Sequence, residues 1–352
     1  MQSCIEIQEN VPIAPFTTLG VGGNARYLVS ATSVPMAEQA VRFARTDDLP
    51  LFVLGGGSNL VVSDHGWNGL ALQVGIGGME QREQDGRIHF DVGAGVEWDH
   101  FVSECVGRNF AGVECLSGIP GNVGGTPVQN VGAYGQEVSE TISSVTVFDL
   151  AESRVRELQA SESGFEYRRS IFNSSHRGRY IILRVSYMLI PEGKPALRYA
   201  DLQNYFAGRC KVPTLGEVRN AVRTIRASKG MLITAGDPDS HSAGSFFKNP
   251  VISSAEHAAL LVKAAERSLR VPSYPALAEQ RKISAAWLVE NSGFAKGYVK
   301  GNAGISTKHA LAIVNRGGAK AAEIVALKDE IQARVHETWG VRLEAEPVFV
   351  GF

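Results

Sequence analysis

The chain has 352 residues, of which 44% are hydrophobic and 20% are charged, and its formal net charge is -1 at pH 7. A single hydrophobic core rarely serves more than about 250–300 residues, so this length predicts two or three domains. A nucleic-acid-binding surface shows as a basic excess or cluster, and the near-neutral charge disfavours one. We therefore expect no nucleic acid among the partners.

The first fifteen residues lack the basic start, the apolar segment and the cleavage pattern of a signal peptide. No stretch reaches the roughly 20 apolar residues that a membrane helix needs. No CxxC pair or nearby histidine gives metal-binding spacing to the cysteines, which are Cys4, Cys105, Cys115 and Cys210. The sequence thus predicts a cytoplasmic protein with scattered buried thiols, no metal and no membrane partner.

The N-terminal part predicts a small βαβ unit. A strand is expected at residues 25–29, and a continuously apolar strand at residues 51–54. Between them Ser33 offers an N-cap for a helix that ends near Arg45, because serine is a preferred N-cap residue. A further strand is expected at residues 60–62.

From about residue 70 to residue 189 the predicted strands are short, and glycine interrupts them often. Strands are expected at residues 88–92, 145–148 and 181–185, and one helix near residues 98–108. The segment at residues 199–226 has a more polar and mobile composition, and no element is predicted in it.

The C-terminal part changes to helices. Ser253 and Glu256 form a capping-box pattern that opens an amphipathic helix, which ends before Pro272. A second helix is expected around residues 284–291, and Gly293 follows it as a helix-ending glycine.

A last helix is expected at residues 319–339, and a final strand at residues 341–350. Together these elements predict an α+β fold. The domains are expected at residues 1–210, with an internal division near residue 70, at residues 211–340 and at residues 341–352.

Three glycine-rich segments offer backbone amides to a diphosphate. Residues 20–25 fit a GxGxxA pattern, but a poor strand precedes them and a strand follows, which disfavours a Rossmann interpretation. Residues 55–59 follow a convincing strand and form either an anion-binding nest or a tight turn. Residues 117–135 contain six glycines and two prolines. Long loops of this kind are typically functional, and this one suits an extended cofactor with a diphosphate.

These loops and three further motifs resemble the UDP-N-acetylenolpyruvoylglucosamine reductase family. The motifs stand in the family's order and cover the chain from about Phe16 to Phe349. Tyr199 is similar to the closing tyrosine of the tyrosine-loop subclass. The most specific motif is GSFFKNP at residues 244–250, and the others are LGGGSN at 54–59, IPG at 119–121, QNVGAYG at 129–135, YR with SIF at 167–172, and LEAE at 343–346.

The resemblance implies a two-part FAD-binding domain of the vanillyl-alcohol-oxidase type, followed by an α+β substrate-binding domain. The FAD is expected to be non-covalent, because no histidine lies in the glycine loops. The implied cofactor-binding residues are Gly55, Gly56, Gly57, Ser58, Asn59, Ser117, Gly118, Ile119, Pro120, Gly121, Gly124, Gly125, Gln129, Asn130, Gly132, Ala133, Tyr134 and Arg226.

The resemblance also implies the reaction. NADPH reduces the FAD, and the flavin reduces the enolpyruvyl group on UDP-N-acetylglucosamine to give UDP-N-acetylmuramate, a peptidoglycan precursor. The resemblance therefore implies a flavoprotein oxidoreductase that takes part in cell-wall biogenesis and so in cell shape and cell division. The UDP-sugar and NADPH would use one pocket in turn, and a monomer is expected.

Three side chains are implied in catalysis. Arg168 would hold the substrate carboxylate with its planar fork. Glu346 would stay neutral in a buried site and donate to the developing enolate. Ser245 would deliver the proton. Without the resemblance, the ordinary interpretations are a surface arginine, a solvated glutamate and a turn serine.

The UDP diphosphate is expected to bind Tyr199, Lys229 and Asn249, and the first two would also meet the NADPH phosphates. Two departures from the family pattern stand out. Many members carry a basic residue where this chain has Val348, so an ionic contact there must come from elsewhere, with Arg342 as a candidate. The loop at residues 231–242 is longer and more acidic than in many members.

Two other functions remain open from the sequence. An FAD-linked alcohol or sugar oxidase on the same fold would turn over with oxygen and need no NADPH. A non-catalytic flavin- or UDP-sugar-binding regulator would bind its ligand without reduction. Neither gives a task to Ser245, Arg168 and Glu346 together.

Overall fold

The computed structural model describes residues 5–276 and 278–352, so Cys4 lies outside the described residues. These residues confirm the α+β prediction. The described helices α1 to α7 are Val34–Thr46, Trp98–Gly107, Ala200–Tyr205, Leu215–Ser228, Ser254–Ala265, Ala285–Glu290 and Ala321–Trp339.

The described strands are short, and most lie in the first two thirds of the chain. Strands β1 to β20 are Gln8–Pro12, Asn24–Ala31, Leu51–Leu54, Leu60–Val62, Trp67–Val74, Met79–Gln84, Arg87–Gly93, Phe110–Ala111, Gly132–Ala133, Gln136–Glu137, Ile142–Asp149, Arg154–Gln159, Tyr180–Pro191, Val251–Ile252, Ser273–Pro275, Arg281–Ile283, Val299–Lys300, Ala303–Ile305, Ile313–Asn315 and Val348–Val350.

The chain divides into two compact units. Unit one contains Ala25–Gly57, Trp67–Ser228 and the described residues before Pro12. Unit two contains Pro12–Asn24, Ser58–Gly66 and Lys229–Phe352. The predicted functional boundary near residue 210 remains a prediction.

The first sheet of unit one contains the predicted βαβ unit. Its strand order is β1-β2-β5-β3, and β5 runs parallel to both β2 and β3. Helix α1 joins β2 to β3 and buries its alanine-rich face, including Ala37 and Ala40. Ser33 takes the N-cap position in an extended conformation, but its side chain makes no cap hydrogen bond. The predicted strands and helix are therefore confirmed, with β5 inserted between the two strands.

The larger sheet of unit one is antiparallel and provides the support for the long glycine loop. Its main strand order is β12-β11-β13-β7-β6, and β13 pairs with both β11 and β7. Tyr187 on β13 is fully buried, and its ring lies 4.9 Å from that of Phe101 on α2. The hydroxyls of Tyr187 and Thr126 lie 2.7 Å apart. This contact fixes the middle of residues 117–135 to the sheet.

Unit two has its own core under α5, α6 and α7. Ile324, Leu327 and Ile331 of α7 are each at most 1% exposed, as the predicted helical spacing requires. The capping box opens α5, since the Ser253 N–H donates to Glu256 Oε2 at 2.8 Å. Gly340 ends α7 in a left-handed conformation with φ of 75°. All three predicted C-terminal helices are confirmed.

The predicted final strand at residues 341–350 is wrong in length. Strand β20 starts only at Val348 and pairs parallel with β4. The preceding residues pair elsewhere, because the Glu346 N–H donates to the Phe246 carbonyl at 2.9 Å and Lys248 N–H donates to the Glu344 carbonyl at 3.0 Å. Pro347 has no N–H, so it separates the two pairings.

The prediction of buried thiols holds for two of the three described cysteines. Cys105 and Cys115 are buried and Cys210 is exposed, and all three are free. Burial raises the pKa of both buried thiols well above their ordinary value. Across residues 5–276 and 278–352, no helix is long and apolar enough to span a membrane.

Candidate active site

In unit one, the glycines at 55–57 of the first predicted cofactor loop lie beside the second predicted loop. A Cβ added to Gly56 would lie 2.6 Å from the Gly121 Cα and 2.9 Å from Asn122 Oδ1. That spacing is too short for any side chain, so the approach of the two backbones requires glycine at position 56. A Cβ added to Gly55 or Gly125, by contrast, would have no protein atom within 4 Å. The loops therefore border open space on the edges where these two glycines lie.

Both backbone polar groups of Gly118 form hydrogen bonds with side chains. Its N–H donates to Asp99 Oδ1 at 2.5 Å, and its carbonyl accepts from Arg226 Nε at 3.1 Å. Asp99 also accepts from Arg219 and Arg223, each at 2.6 Å. Burial raises the pKa of Asp99, but the hydrogen bonds from Arg219 and Gly118 outweigh it and leave that pKa below its ordinary value. Helices α2 and α4 thus fix the start of the long loop.

Arg226 is a buried cation at this loop. It is 8% exposed, and burial lowers the pKa of its guanidinium. Tyr134 is buried in the same unit in a left-handed conformation, with φ of 49°. Burial raises the pKa of Tyr134 to about 12. The exposed ring of Tyr199 meets the ring of Tyr134 edge-on at 5.6 Å, so two predicted site residues are in contact here.

Asn130 uses its side chain to hold the loop. Its Nδ2 donates to Glu137 Oε2 at 2.7 Å and to the Glu166 carbonyl at 3.1 Å, and its Oδ1 accepts from the Ser139 N–H at 3.1 Å. Its φ of 45° is left-handed, a conformation that asparagine tolerates better than most residues. Asn130 therefore shapes the loop that the cofactor is expected to contact.

Arg168 reaches the far part of the same loop. Its guanidinium donates to the Gly132 carbonyl at 2.6 Å, and its side chain is half-buried. Its backbone is left-handed, with φ of 55°, in a tight turn closed by hydrogen bonds between Glu166 and Arg169. A side chain with a Cβ is strained in this conformation, and such strain concentrates at functional sites. Asn173 Nδ2 donates to the Arg168 carbonyl at 3.2 Å and holds the turn.

The other predicted cofactor residues of unit one serve the loop in different ways. Ser117 is fully buried, and its hydroxyl donates to the Glu114 carbonyl at 2.7 Å. A Cβ on Gly124 would lie 2.6 Å from that of Ala94. Gly57 has a φ of 62° and is the last residue of the Ala25–Gly57 segment of unit one. The remaining members of the set are half-buried, and they are Ile119, Pro120, Gln129 and Ala133.

In unit two, backbone pairing brings the predicted proton donor near the predicted acid. Ser245 precedes Phe246, whose carbonyl accepts from the Glu346 N–H at 2.9 Å. Asn59 binds the same segment, because its Nδ2 donates to the Glu346 carbonyl at 3.2 Å and its carbonyl accepts from the Val348 N–H at 2.9 Å. Ser245 and Glu346 are both half-buried. They therefore belong to one paired region, together with Asn59.

Asn249 lies at the end of the same segment. Its Oδ1 accepts from the Ala285 N–H at 2.9 Å, at the first residue of α6. Because the oxygen caps the helix, the orientation of the amide is set, and its Nδ2 is the donor on the other side.

Lys229 and the acidic loop lie near a histidine that the sequence did not indicate. His309 Nε2 lies 3.3 Å from Ser245 Oγ. Burial and the charges of Lys229 and Lys296 lower the pKa of His309 to about 4. In the loop at residues 231–242, the buried carboxylate of Asp239 accepts from Thr307. The long acidic loop therefore supports the segment that carries His309.

Sequence reasoning found the loops but missed the residues that hold them. Asp99 and Asp239 each bind a partner far away in the chain, and so does Glu114, which is 1% exposed and accepts from the Ala196 N–H at 2.8 Å. Arg342, the candidate replacement for the basic residue at Val348, has an exposed side chain. No local pattern distinguishes Asp99, Asp239 and Glu114, because acidic residues are also common at helix starts and on exposed faces.

Family profiles, sequence relatives and a solved structure all indicate the same family. A profile of the UDP-N-acetylenolpyruvoylglucosamine reductase C-terminal domain matches residues 237–350, and a profile of an FAD binding domain matches residues 25–159. A UDP-N-acetylenolpyruvoylglucosamine reductase from Thermobifida fusca is 47% identical in an alignment of 350 positions that covers 97% of this chain and 97% of the relative. One from Streptomyces coelicolor is 43% identical, over 97% of this chain and 90% of the relative.

A solved structure agrees. The crystal structure of UDP-N-acetylenolpyruvylglucosamine reductase (MurB) from Thermus caldophilus matches with a TM-score of 0.65 and 26% sequence identity, over 99% of both chains. The FAD binding domain profile confirms that the first part of the chain has an FAD-binding fold. The chain belongs to the UDP-N-acetylenolpyruvoylglucosamine reductase family.

Proposed function

We propose that this chain reduces the enolpyruvyl group on UDP-N-acetylglucosamine to give UDP-N-acetylmuramate, with FAD as cofactor and NADPH as reductant. It is an FAD-dependent oxidoreductase of peptidoglycan precursor synthesis, as its family membership over nearly the whole chain indicates. The observation that carries the residue-level proposal is the pairing of the Ser245 and Glu346 segments through Phe246. It brings a hydroxyl and a carboxyl group to one region of unit two.

The glycine loops of unit one fit FAD. A diphosphate needs backbone N–H donors that it can approach closely. Gly56 lies against Gly121, while Gly55 and Gly125 both border open space. The buried guanidinium of Arg226 supplies positive charge at the same loop. We assign the cofactor to these loops, with Ser58 and Asn59 continuing the first one. When bound, FAD supplies the hydride that it has taken from NADPH.

The chain's own residues must handle the charge and the proton. Hydride addition to the alkene leaves negative charge that spreads into the neighbouring carboxylate. Arg168 binds that carboxylate, and its turn and its bond to Gly132 fix its position before substrate arrives. Glu346, as a neutral carboxylic acid, donates to the same developing charge. Ser245 then gives its proton to the adjacent carbon.

The UDP diphosphate is assigned to three donors of different chemistry. Lys229 supplies a point charge, Tyr199 a phenol and Asn249 an amide whose direction its helix cap sets. Tyr199 is 45% exposed, so its side chain is partly accessible to a ligand. A monomer in the cytoplasm remains our expectation for the assembly and location.

An anaerobic titration tests this proposal. The purified protein should be yellow, and acid precipitation should release the flavin into the supernatant. NADPH should bleach the visible band, and the enolpyruvyl UDP-sugar should restore it with formation of UDP-N-acetylmuramate, identified by mass. A flavin that NADPH does not bleach but an alcohol or a sugar does, with oxygen restoring the band, would replace the proposal with an oxidase function. A colourless protein that does not take up FAD would overturn it.

A further inference from the structure

Ser245 has a side-chain partner in unit two. Its Oγ lies 3.3 Å from Nε2 of His309, and both residues are half-buried. A proton donor is effective only when its hydrogen is aimed at the reacting carbon. A group that bonds the serine oxygen therefore decides whether Ser245 can act.

The backbone holds the two side chains in this relation. The Phe246 N–H, directly after Ser245, donates to the Leu311 carbonyl at 2.7 Å. The Ala312 N–H donates to the His309 carbonyl at 3.1 Å. Backbone hydrogen bonding therefore joins the two segments at Phe246 and Leu311, next to Ser245 and two residues after His309. The contact of the two side chains is thus supported by the backbone.

A buried network fixes the histidine segment from its other side. Ser306 is fully buried, and its hydroxyl oxygen accepts from the N–H groups of Lys308 at 3.0 Å and His309 at 3.2 Å. Asp239, 3% exposed, accepts from the Thr307 N–H at 3.0 Å and from its hydroxyl at 2.6 Å. These hydrogen bonds hold the backbone at His309 in place, and with it the position of the imidazole ring.

The electrostatics keep the ring neutral. Burial is the main cause, and the positive charges of Lys229 and Lys296 act in the same direction, so the pKa of His309 falls to about 4. A neutral imidazole carries one N–H, on either Nδ1 or Nε2. If Nε2 accepted from the serine, the Ser245 proton would be directed at the ring and away from the substrate.

We propose that His309 is a positioning residue that donates its Nε2–H to Ser245 Oγ. The bond leaves the serine proton free to point at the substrate carbon and stabilises the oxygen as it becomes negative. In the step itself the Ser245 O–H bond breaks, a C–H bond forms on the substrate carbanion, and the resulting alkoxide regains a proton from water. This inference rests on the proposed function, because it gives His309 a task only if Ser245 is the proton donor.

Two variants and a control test the proposal in the holoenzyme. His309→Leu removes the donor, and His309→Gln restores an N–H on a side chain of similar reach. His336→Leu changes an exposed histidine on α7 and serves as the control. Stopped-flow absorbance follows reduction of the FAD by NADPH and its reoxidation by the enolpyruvyl UDP-sugar separately.

Reduction by NADPH should stay within about twofold of wild type in all three, since it needs no proton from serine. Reoxidation should slow roughly 10- to 100-fold in His309→Leu, the loss expected for one hydrogen bond to a charged group. It should recover most of that rate in His309→Gln and stay unchanged in His336→Leu. The solvent deuterium isotope effect on reoxidation should be larger in His309→Leu than in wild type, because proton transfer becomes slower.

The outcomes separate this inference from the proposed function. Wild-type protein that the UDP-sugar does not reoxidise would sink both. Reoxidation at the wild-type rate in His309→Leu would overturn only the role of His309. If that variant loses FAD on purification, ¹⁵N spectra of the wild-type holoenzyme decide, since a His309 ring protonated on Nδ1 alone contradicts the proposal and one protonated on Nε2 supports it.

Discussion

Asp99 on α2 binds the backbone N–H of Gly118 at 2.5 Å, and two arginines of α4 hold its carboxylate in turn. Asp99→Asn replaces an acceptor oxygen with an amide that faces an arginine. The anchor of the loop at residues 117–121 should then weaken, because asparagine has no charge and only one acceptor oxygen for Gly118 and the two arginines. We expect the Kd for FAD to rise at least about tenfold, the effect of one charge-assisted hydrogen bond.

The matched control for this variant is Asp91→Asn. Asp91 on β7 also pairs with an arginine, Arg184, at 2.7 Å, but its side chain is 43% exposed. Such a pair contributes little, so fluorescence titration of the apoprotein should give a Kd within about twofold of wild type. Equal FAD affinity in the Asp99 and Asp91 variants would show that the Gly118 anchor has no part in cofactor binding.

The two glycines of the first loop should respond differently to alanine. Gly56→Ala places a Cβ 2.6 Å from the Gly121 Cα, so it should lower the melting temperature of the apoprotein and also its FAD affinity. Gly55→Ala meets no protein atom within 4 Å. It should leave the apoprotein stable and weaken FAD binding only. Gly107→Ala, also in open space, should change neither. FAD binding of wild-type strength in Gly55→Ala would mean that the cofactor does not use that space.

Elements with strong local signals could be predicted from the sequence. The capping box at Ser253 and the helical spacing of Ile324, Leu327 and Ile331 gave α5 and α7 because those signals act within a few residues. Helix α4 was missed although Leu215 and Val218 have helical spacing and Thr214 forms a cap with Glu217, with Thr214 N–H donating to Glu217 Oε2 at 2.8 Å. The arginines and polar residues of this segment hid that pattern.

The site could be predicted only as far as its motifs reach. Glycine loops and the GSFFKNP segment are local, so Gly56, Gly121 and Ser245 were found. His309 is 64 residues from Ser245 in the sequence, and a single histidine has no local signature. The final strand was predicted too long for the same reason, because its pairing with Phe246 and with β4 is not local. Long-range pairing decides these features, and a single sequence does not display it.

Lys229 should act mainly in binding. Lys229→Ala removes one charge-assisted contact to the diphosphate, so the dissociation constant of the UDP-sugar should rise by the equivalent of about 1.5–3 kcal/mol. Lys194→Ala, which changes an exposed lysine of unit one, is the control. Isothermal titration with oxidised enzyme measures both. A normal dissociation constant together with slow turnover would place Lys229 in the hydride step instead.

His309 should make the protein sensitive to mild acid. Its folded-state pKa of about 4 lies below the ordinary 6.5, so the unfolded state binds the proton more tightly. Stability is therefore complete above pH 6.5 and falls as the pH drops towards 4, by up to about 1.4 kcal/mol for each pH unit. His309→Gln lacks this loss. The difference between its melting temperature and that of wild type should therefore shift in favour of the variant as the pH is lowered from 7 to 5. A constant difference would contradict the lowered pKa.

The proton delivered by Ser245 is the central claim of the proposed chemistry, and Ser245→Ala tests it most directly. In anaerobic stopped-flow experiments, reduction of the FAD by NADPH should be nearly intact, because it needs no proton from serine. Reoxidation by the enolpyruvyl UDP-sugar should slow at least about 100-fold, the lower end for a positioned general acid. Ser245→Cys should recover part of that rate, since a thiol is the more acidic donor. If Ser245→Ala reoxidises with substrate at the wild-type rate, the proton comes from another group and Ser245 is only a turn residue.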